Sequence, residues 1–184
     1  MRKFVFALLG LCILASGAMA APPNHVDTKV FLAEKVPTTP EPPFPEATIW
    51  TPKFGGSYGY LTYRVWGPVF NFKIQGFKLQ RNTPYALIYY PDPFPGKGLI
   101  ILAKGTANGG GNLTLLGKVD TGTLPANLGA DANFPGAKIW LVPNPDLYIV
   151  EGSNGFEFFN WPMDPVSGAG ILFETNLINY YKTN

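Results

Sequence analysis

"YALIYYPDPFPGKGLIILAKGTANGGGNLTLLGKV", residues 85–119, holds three apolar runs separated by two kinds of chain reversal. "YALIYY" and "GLIILAKG" are rich in aromatic and branched side chains and are short, which is the pattern of buried strands. The prolines of "PDPFPGKG" remove donors and fix φ, so they stop strand pairing. The glycines of "TANGGGN" permit the positive φ of a tight turn. In "NLTLLGKV", Leu113, Leu115 and Val119 keep one face through Gly117 and leave Thr114 and Lys118 outward. The spacing predicts that residues 98–105 and 112–119 are antiparallel hairpin partners.

The same signals continue in both directions. In "YGYLTYRVW" (58–66), Leu61, Tyr63 and Val65 lie on one side and Tyr60, Thr62, Arg64 and Trp66 on the other. In "VFNFKIQGFKL" (69–79), Phe70, Phe72 and Ile74 alternate, after which Phe77 and Leu79 continue the apolar side. Gly76 sits at this apparent slip and predicts a bulge or bend. "AKIWLV", "LYIVE", "FEFF" and "GILFE" add strands, with Gly, Pro, Asn and Asp between them. No window holds a helical period. The expectation is an all-β chain forming a single antiparallel β-sandwich, immunoglobulin-like or jelly-roll-like, with little helix after residue 20. Phe70, Phe72, Ile74, Leu113, Leu115, Ile139 and Leu141 should point inward, and Trp140 should belong to the core.

Residues 1–20 read as a signal peptide. Arg2 and Lys3 precede the apolar run Phe4 to Ala15, and Ala18-Met19-Ala20 is a cleavage pattern. The run is too short for a membrane span, and no second span follows as an anchor. Cleavage would remove Cys12, the one cysteine, and two of the 14 basic residues, leaving a charge balanced against 12 acidic ones. A neutral chain without a clustered positive run gives no reason to expect a nucleic-acid partner. Residues 21–46 form an N-terminal arm in which "TKVFLAEKV" (28–36) alternates like a strand and "PTTPEPPFPE" (37–46) reads as an extended spacer. The arm has three readings: a tether, an edge strand of its own domain, or a strand donated to a neighbour in self-association. The sandwich domain is placed at 47–184.

Four phrases resemble recurring ones in uncharacterised secreted or surface β-domain proteins of archaea and bacteria: "YALIYYPDPFPG", "GKVDTGTLP", "DANFPGAKIWLVP" and "LFETNLI". The likeness spans roughly residues 70–178. It implies an extracellular domain and carries no activity and no functional residue.

The available chemistry is narrow. His25 is the one histidine and lies in the arm, so triads and His/Cys zinc sites are not expected. Asp120, Asp131, Asp146, Glu151, Glu157 and Asp164 are the carboxylates a glycoside-active enzyme would draw on, but none sits in a catalytic motif. Asp120 and Asp131 suit Asx turns. The same oxygens, Asp120 and Asp131 with Asn133, suit calcium as the one cofactor to consider, without an EF-hand spacing. Aromatics number 14 Phe, 9 Tyr and 4 Trp. Tyr89, Tyr90 and Phe94 beside the proline turn, with Trp161, are the expected exposed set for stacking on sugars. Asn112-Leu113-Thr114 is an N-glycosylation sequon. The first functional expectation is a non-enzymatic structural or interaction protein of the cell exterior, with a surface protein or polysaccharide as partner. A carbohydrate-binding module is the alternative, and a carboxylate-dependent enzyme the third.

Overall fold

Alternation along short runs produces strands, and the computed structural model describes residues 27–37, 50–91, 99–125, 136–143 and 171–184. The strands are β1 (Asp27–Pro37), β2 (Trp50–Pro52), β3 (Tyr58–Arg64), β4 (Trp66–Gly67), β5 (Phe70–Phe77) and β6 (Pro84–Tyr90). They continue with β7 (Ile100–Thr106), β8 (Leu113–Val119), β9 (Lys138–Pro143), β10 (Leu172–Glu174) and β11 (Tyr181–Lys182). Hydrogen-bonded neighbours run β7-β6-β9-β10-β1-β3-β5-β8, with β2 also on β1, and this antiparallel sheet is nearly closed into a barrel. β4 and β11 form a small parallel ladder. The all-β, antiparallel expectation holds. Among the described residues no helix is long and apolar enough to cross a membrane.

The inner face carries the main core. Phe70, Phe72, Ile74, Leu113, Leu115, Ile139 and Leu141 are all buried there, as their alternation predicts. β6 and β9 are buried on both faces. Their outward residues, among them Ile88, Tyr90, Trp140 and Val142, join Phe173 of β10 in a second apolar cluster outside the barrel wall. This explains why "YALIYY" and "KIWLV" read as continuous apolar runs, whereas β3 and β5 alternate cleanly and face solvent outside.

Three local expectations are corrected. First, of the three readings of the arm, pairing within its own domain holds, but β1 is a central strand and not an edge strand. It lies between β3 and β10 in the middle of the sheet, with Val30 and Leu32 in the core. The domain therefore includes residues 27–37. Burying a side chain like Leu32 stabilises by about 1.5–3 kcal/mol, enough to draw an alternating segment into a sheet that has both partners ready.

Second, Gly76 is not a bulge. The β3–β5 and β5–β8 registers run through it without a break, and Phe77 turns outward. The phase changes later, at Lys78, whose φ of 56° returns Leu79 to the core. Gly76 faces inward, and a Cβ there would meet the Leu79 side chain at 2.8 Å. Leu79 fills the space that the glycine leaves.

Third, β7 and β8 are not a hydrogen-bonded hairpin. They are the two ends of the strand path. The inward Gly105 of β7 lies over Leu115 of β8, where a Cβ would come within 2.5 Å of the leucine side chain. The seam thus closes by side-chain packing. The turn between them is tight, since Asn108 Oδ1 accepts from the Gly110 and Asn112 amides at 2.9 and 3.0 Å and Gly111 has φ 74°. Its main chain is clasped to the β5–β6 connection, through Leu79 N to Gly111 O and Ala107 N to Thr83 O, both at 2.9 Å.

Candidate binding face

Because β3, β5 and the Asp27–Phe31 part of β1 bury one face only, their outward residues form an open surface. The register sets these residues in rows across the strands. Tyr58 and Phe77 share the first row, and Phe31, Tyr60 and Gln75 the second. Lys29, Thr62, Lys73 and Leu116 of β8 make the third, and Asp27, Arg64, Asn71 and Lys118 the fourth. With about 3.3 Å per residue along a strand, the face runs about 20 Å from an aromatic end to a cationic one.

The aromatic end is a connected cluster. Phe31 lies 5.4 Å from Tyr60 between ring centres, and Tyr58 stacks on Phe77 at 5.2 Å and 25°. Phe31 is 37% exposed. The Lys29 ammonium sits 3.9 Å above the centre of the Tyr60 ring, joining the two ends by a cation–π contact. A shallow depression of about 370 Å³ covers the polar rows, lined by Thr62, Arg64, Asn71, Lys73, Gln75 and Leu116 among others.

A built loop borders the aromatic end. Residues 53–57 oppose Glu34 alone, because Ala33 pairs with Tyr58 and Lys35 with Pro52. Glu34 holds both ends of the loop by main chain, its amide donating to the Ser57 carbonyl at 3.0 Å and its carbonyl accepting from the Lys53 amide at 2.8 Å. Its buried carboxylate adds to this: Oε1 accepts from Lys53 Nζ at 2.8 Å and Oε2 from the Ser57 amide at 3.1 Å. Ser57 Oγ donates to the Lys78 carbonyl at 2.6 Å. Gly55, at φ 70°, makes the turn, and Phe54 stands fully exposed at its tip. Phe31, Pro52, Phe54, Tyr58 and Lys78 line a groove of about 330 Å³ beneath it.

The site residues expected from sequence fall elsewhere. Tyr89 and Tyr90 are not exposed: Tyr89 is in the inner core, and Tyr90 stacks on Trp140 at 4.1 Å in the outer cluster. A strand buried on both faces has no side to show. Phe94 and Trp161 lie outside the described residues, as do Asp131, Asn133, Asp146, Glu151, Glu157 and Asp164. Asp120 is exposed and makes the expected Asx turn to the Gly122 amide at 3.2 Å. Both its oxygens accept from Lys182 Nζ at 2.7 Å, and this contact, with the Gly122 amide, holds the carboxyl below its ordinary range. No group of three His, Cys, Asp or Glu able to hold a metal occurs among the described residues. Asn112 is exposed at the end of the glycine turn. Trp66 and Tyr181, both partly exposed, stack on one another at 4.5 Å and 22°.

One buried acid stands apart. Glu174 continues β10 on the inward side of Leu172, opposite Leu32. Its Oε2 has no hydrogen-bond partner among the described residues, and Lys35 Nζ donates to its main-chain carbonyl at 2.7 Å instead. Burial pushes its carboxyl up to about 7, against the pull of Lys35 and Lys138. Between the unfolded value of 4.5 and about 7 the folded state holds a proton that the unfolded state lacks. Stability is therefore expected to fall as pH rises through that window and to level off above it. At 1.36 kcal/mol per pKa unit the fall totals on the order of 3 kcal/mol. Urea midpoints from pH 4 to 8 should show this slope in the native chain, and Glu174→Gln should flatten it.

No family model matches the chain, and no curated protein or solved structure matches it either.

Proposed function

We propose that this chain is a non-enzymatic binding protein of the cell exterior and that its outer β1–β3–β5 face holds a polysaccharide. The carrying observation is the composition of that face by rows: clustered rings at one end, then hydroxyl, amide and ammonium groups at strand spacing. Sugars present apolar C–H patches ringed by hydroxyls, so they need an aromatic surface bordered by hydrogen-bonding groups. Tyr60, Thr62, Asn71 and Gln75 supply both donors and acceptors. Asp27 is the single acidic residue in the four rows, so the face offers no carboxylate pair for glycoside hydrolysis. The leader-like residues 1–20 support an exterior setting.

Calorimetric titration of the protein with a panel of polysaccharides tests the reading. Phe31→Ala and Tyr60→Ala are expected to weaken binding about tenfold, in line with the contribution of a ring contact plus its area. Both rings are outside the inner core, so the thermal midpoint should move little. Unchanged affinity in both variants would remove the face from consideration. Phe54 favours a second reading, a protein partner seated in the groove under the 53–57 loop, because a ring anchored outward by a buried glutamate is an interface anchor in form. Phe54→Ser with unchanged polysaccharide affinity and lost retention of a surface protein would support it.

A further inference from the structure

Resting on the polysaccharide reading, we infer that the ligand is an anionic polysaccharide, a sugar ring lying on Phe31 beside Tyr60 and its carboxylate or sulfate groups on Lys29, Lys73, Arg64 and Lys118. The third and fourth rows hold these four cations against Asp27 alone. Whole-chain charge conceals this, since acidic and basic residues nearly balance over the full sequence. Lys73 and Lys118 are exposed and have no acidic partner among the described residues. Among the described residues Arg64 has only Asp27 as an acidic neighbour, with Nε 3.8 Å from Oδ1, too long for a hydrogen bond. Its guanidinium keeps most of its donors for an incoming anion.

Position turns this charge excess into a site. Lys29 and Lys73 share one row with Thr62 between them, so they stand two strand spacings apart, about 10 Å. That interval suits a polymer whose anionic groups recur along its length. Lys29 is restrained over Tyr60, so its charge is held where the aromatic end meets the cationic one. A strand of alternating rings and charges can then contact both ends at once. A nucleic acid also combines charge with rings, but a base needs an open ring face. Here Tyr58 and Phe77 cover each other, and Lys29 covers Tyr60. On these rows Phe31, 37% exposed, is the ring left open, with room for one pyranose beside charged neighbours but not for a run of stacked bases.

Titration with polygalacturonate, with neutral dextran of equal length and with oligothymidylate, each at low and high sodium chloride, separates the outcomes. Polygalacturonate is expected to bind tightest and to lose about tenfold or more in affinity at high salt, because exposed ion pairs are screened within a Debye length of about 3–10 Å. Lys73→Gln with Lys118→Gln should weaken polygalacturonate about tenfold and reduce the salt dependence that sets it apart from dextran; an unchanged Tm keeps folding out of the comparison. Equal, salt-independent binding of dextran and polygalacturonate would overturn the anionic assignment and leave the polysaccharide reading standing. No binding of either polymer would overturn both, and tighter binding of oligothymidylate would replace both with a nucleic-acid face.

Discussion

A chain lacking residues 27–37 is expected to show no cooperative unfolding transition. β1 runs beside β3 from Asp27 to Ala33, beside β10 from Leu32 to Glu34, and beside β2 from Lys35 to Pro37. Its removal takes Val30 and Leu32 from the core and leaves the facing main chains of β3 and β10 without partners. Truncating one buried leucine to alanine costs about 2–5 kcal/mol, and a whole domain has only about 5–15 kcal/mol to lose. Deleting the strand exceeds that margin. Urea titration followed by tryptophan fluorescence should give a gradual drift in place of a sigmoid. The gap between β3 and β10 has the shape and register of one antiparallel strand, so a synthetic 27–37 peptide should restore the transition in proportion to its concentration. A deleted chain that melts like the parent would return this segment to the role of a tether.

The second large effect is expected at Phe72, which faces Gly117 directly across the β5–β8 ladder. The ring lies over the glycine, so that a Cβ at position 117 would enter it. Phe72→Ala should cost about 3–5 kcal/mol, because the ring is almost wholly buried in the inner core. Gly117→Ala should cost about 1–3 kcal/mol for the opposite reason, overpacking against the ring. In the double variant the new methyl occupies space that the ring vacated. The combined loss should therefore fall short of the sum by about 0.5–3 kcal/mol, the range seen for residues in contact. Denaturant midpoints of the four proteins measure this directly, and strict additivity would mean that the ring and the glycine do not meet.

Half of the candidate face is legible in the sequence. Alternation in "YGYLTYRVW" already put Tyr60, Thr62 and Arg64 together on the side away from Leu61 and Tyr63. The rest of its signal lies in the outward phase of separate segments: Phe31 in one, Tyr58 and Tyr60 in another, Phe77 in a third. Nothing local says that these phases adjoin. Aromatics near a proline turn are the stronger local signal of exposure, because turns lie at the surface. Tyr89 and Tyr90 precede that turn on a strand covered on both sides, and the rule does not reach them.

Periodicity and turn chemistry are properties of neighbouring residues, and they were enough to establish an antiparallel all-β chain, its inward set from Phe70 to Leu141, and the reversal at Asn108–Asn112. Strand order is a property of distant residues. Which strands become neighbours depends on which pairing buries the most apolar surface at once, and many orders satisfy the same alternation. Folding alone could place β1 in the middle of the sheet, leave β7 and β8 at a seam closed by Leu115 over Gly105, and set Phe31 beside Tyr60 with Lys29 across its ring.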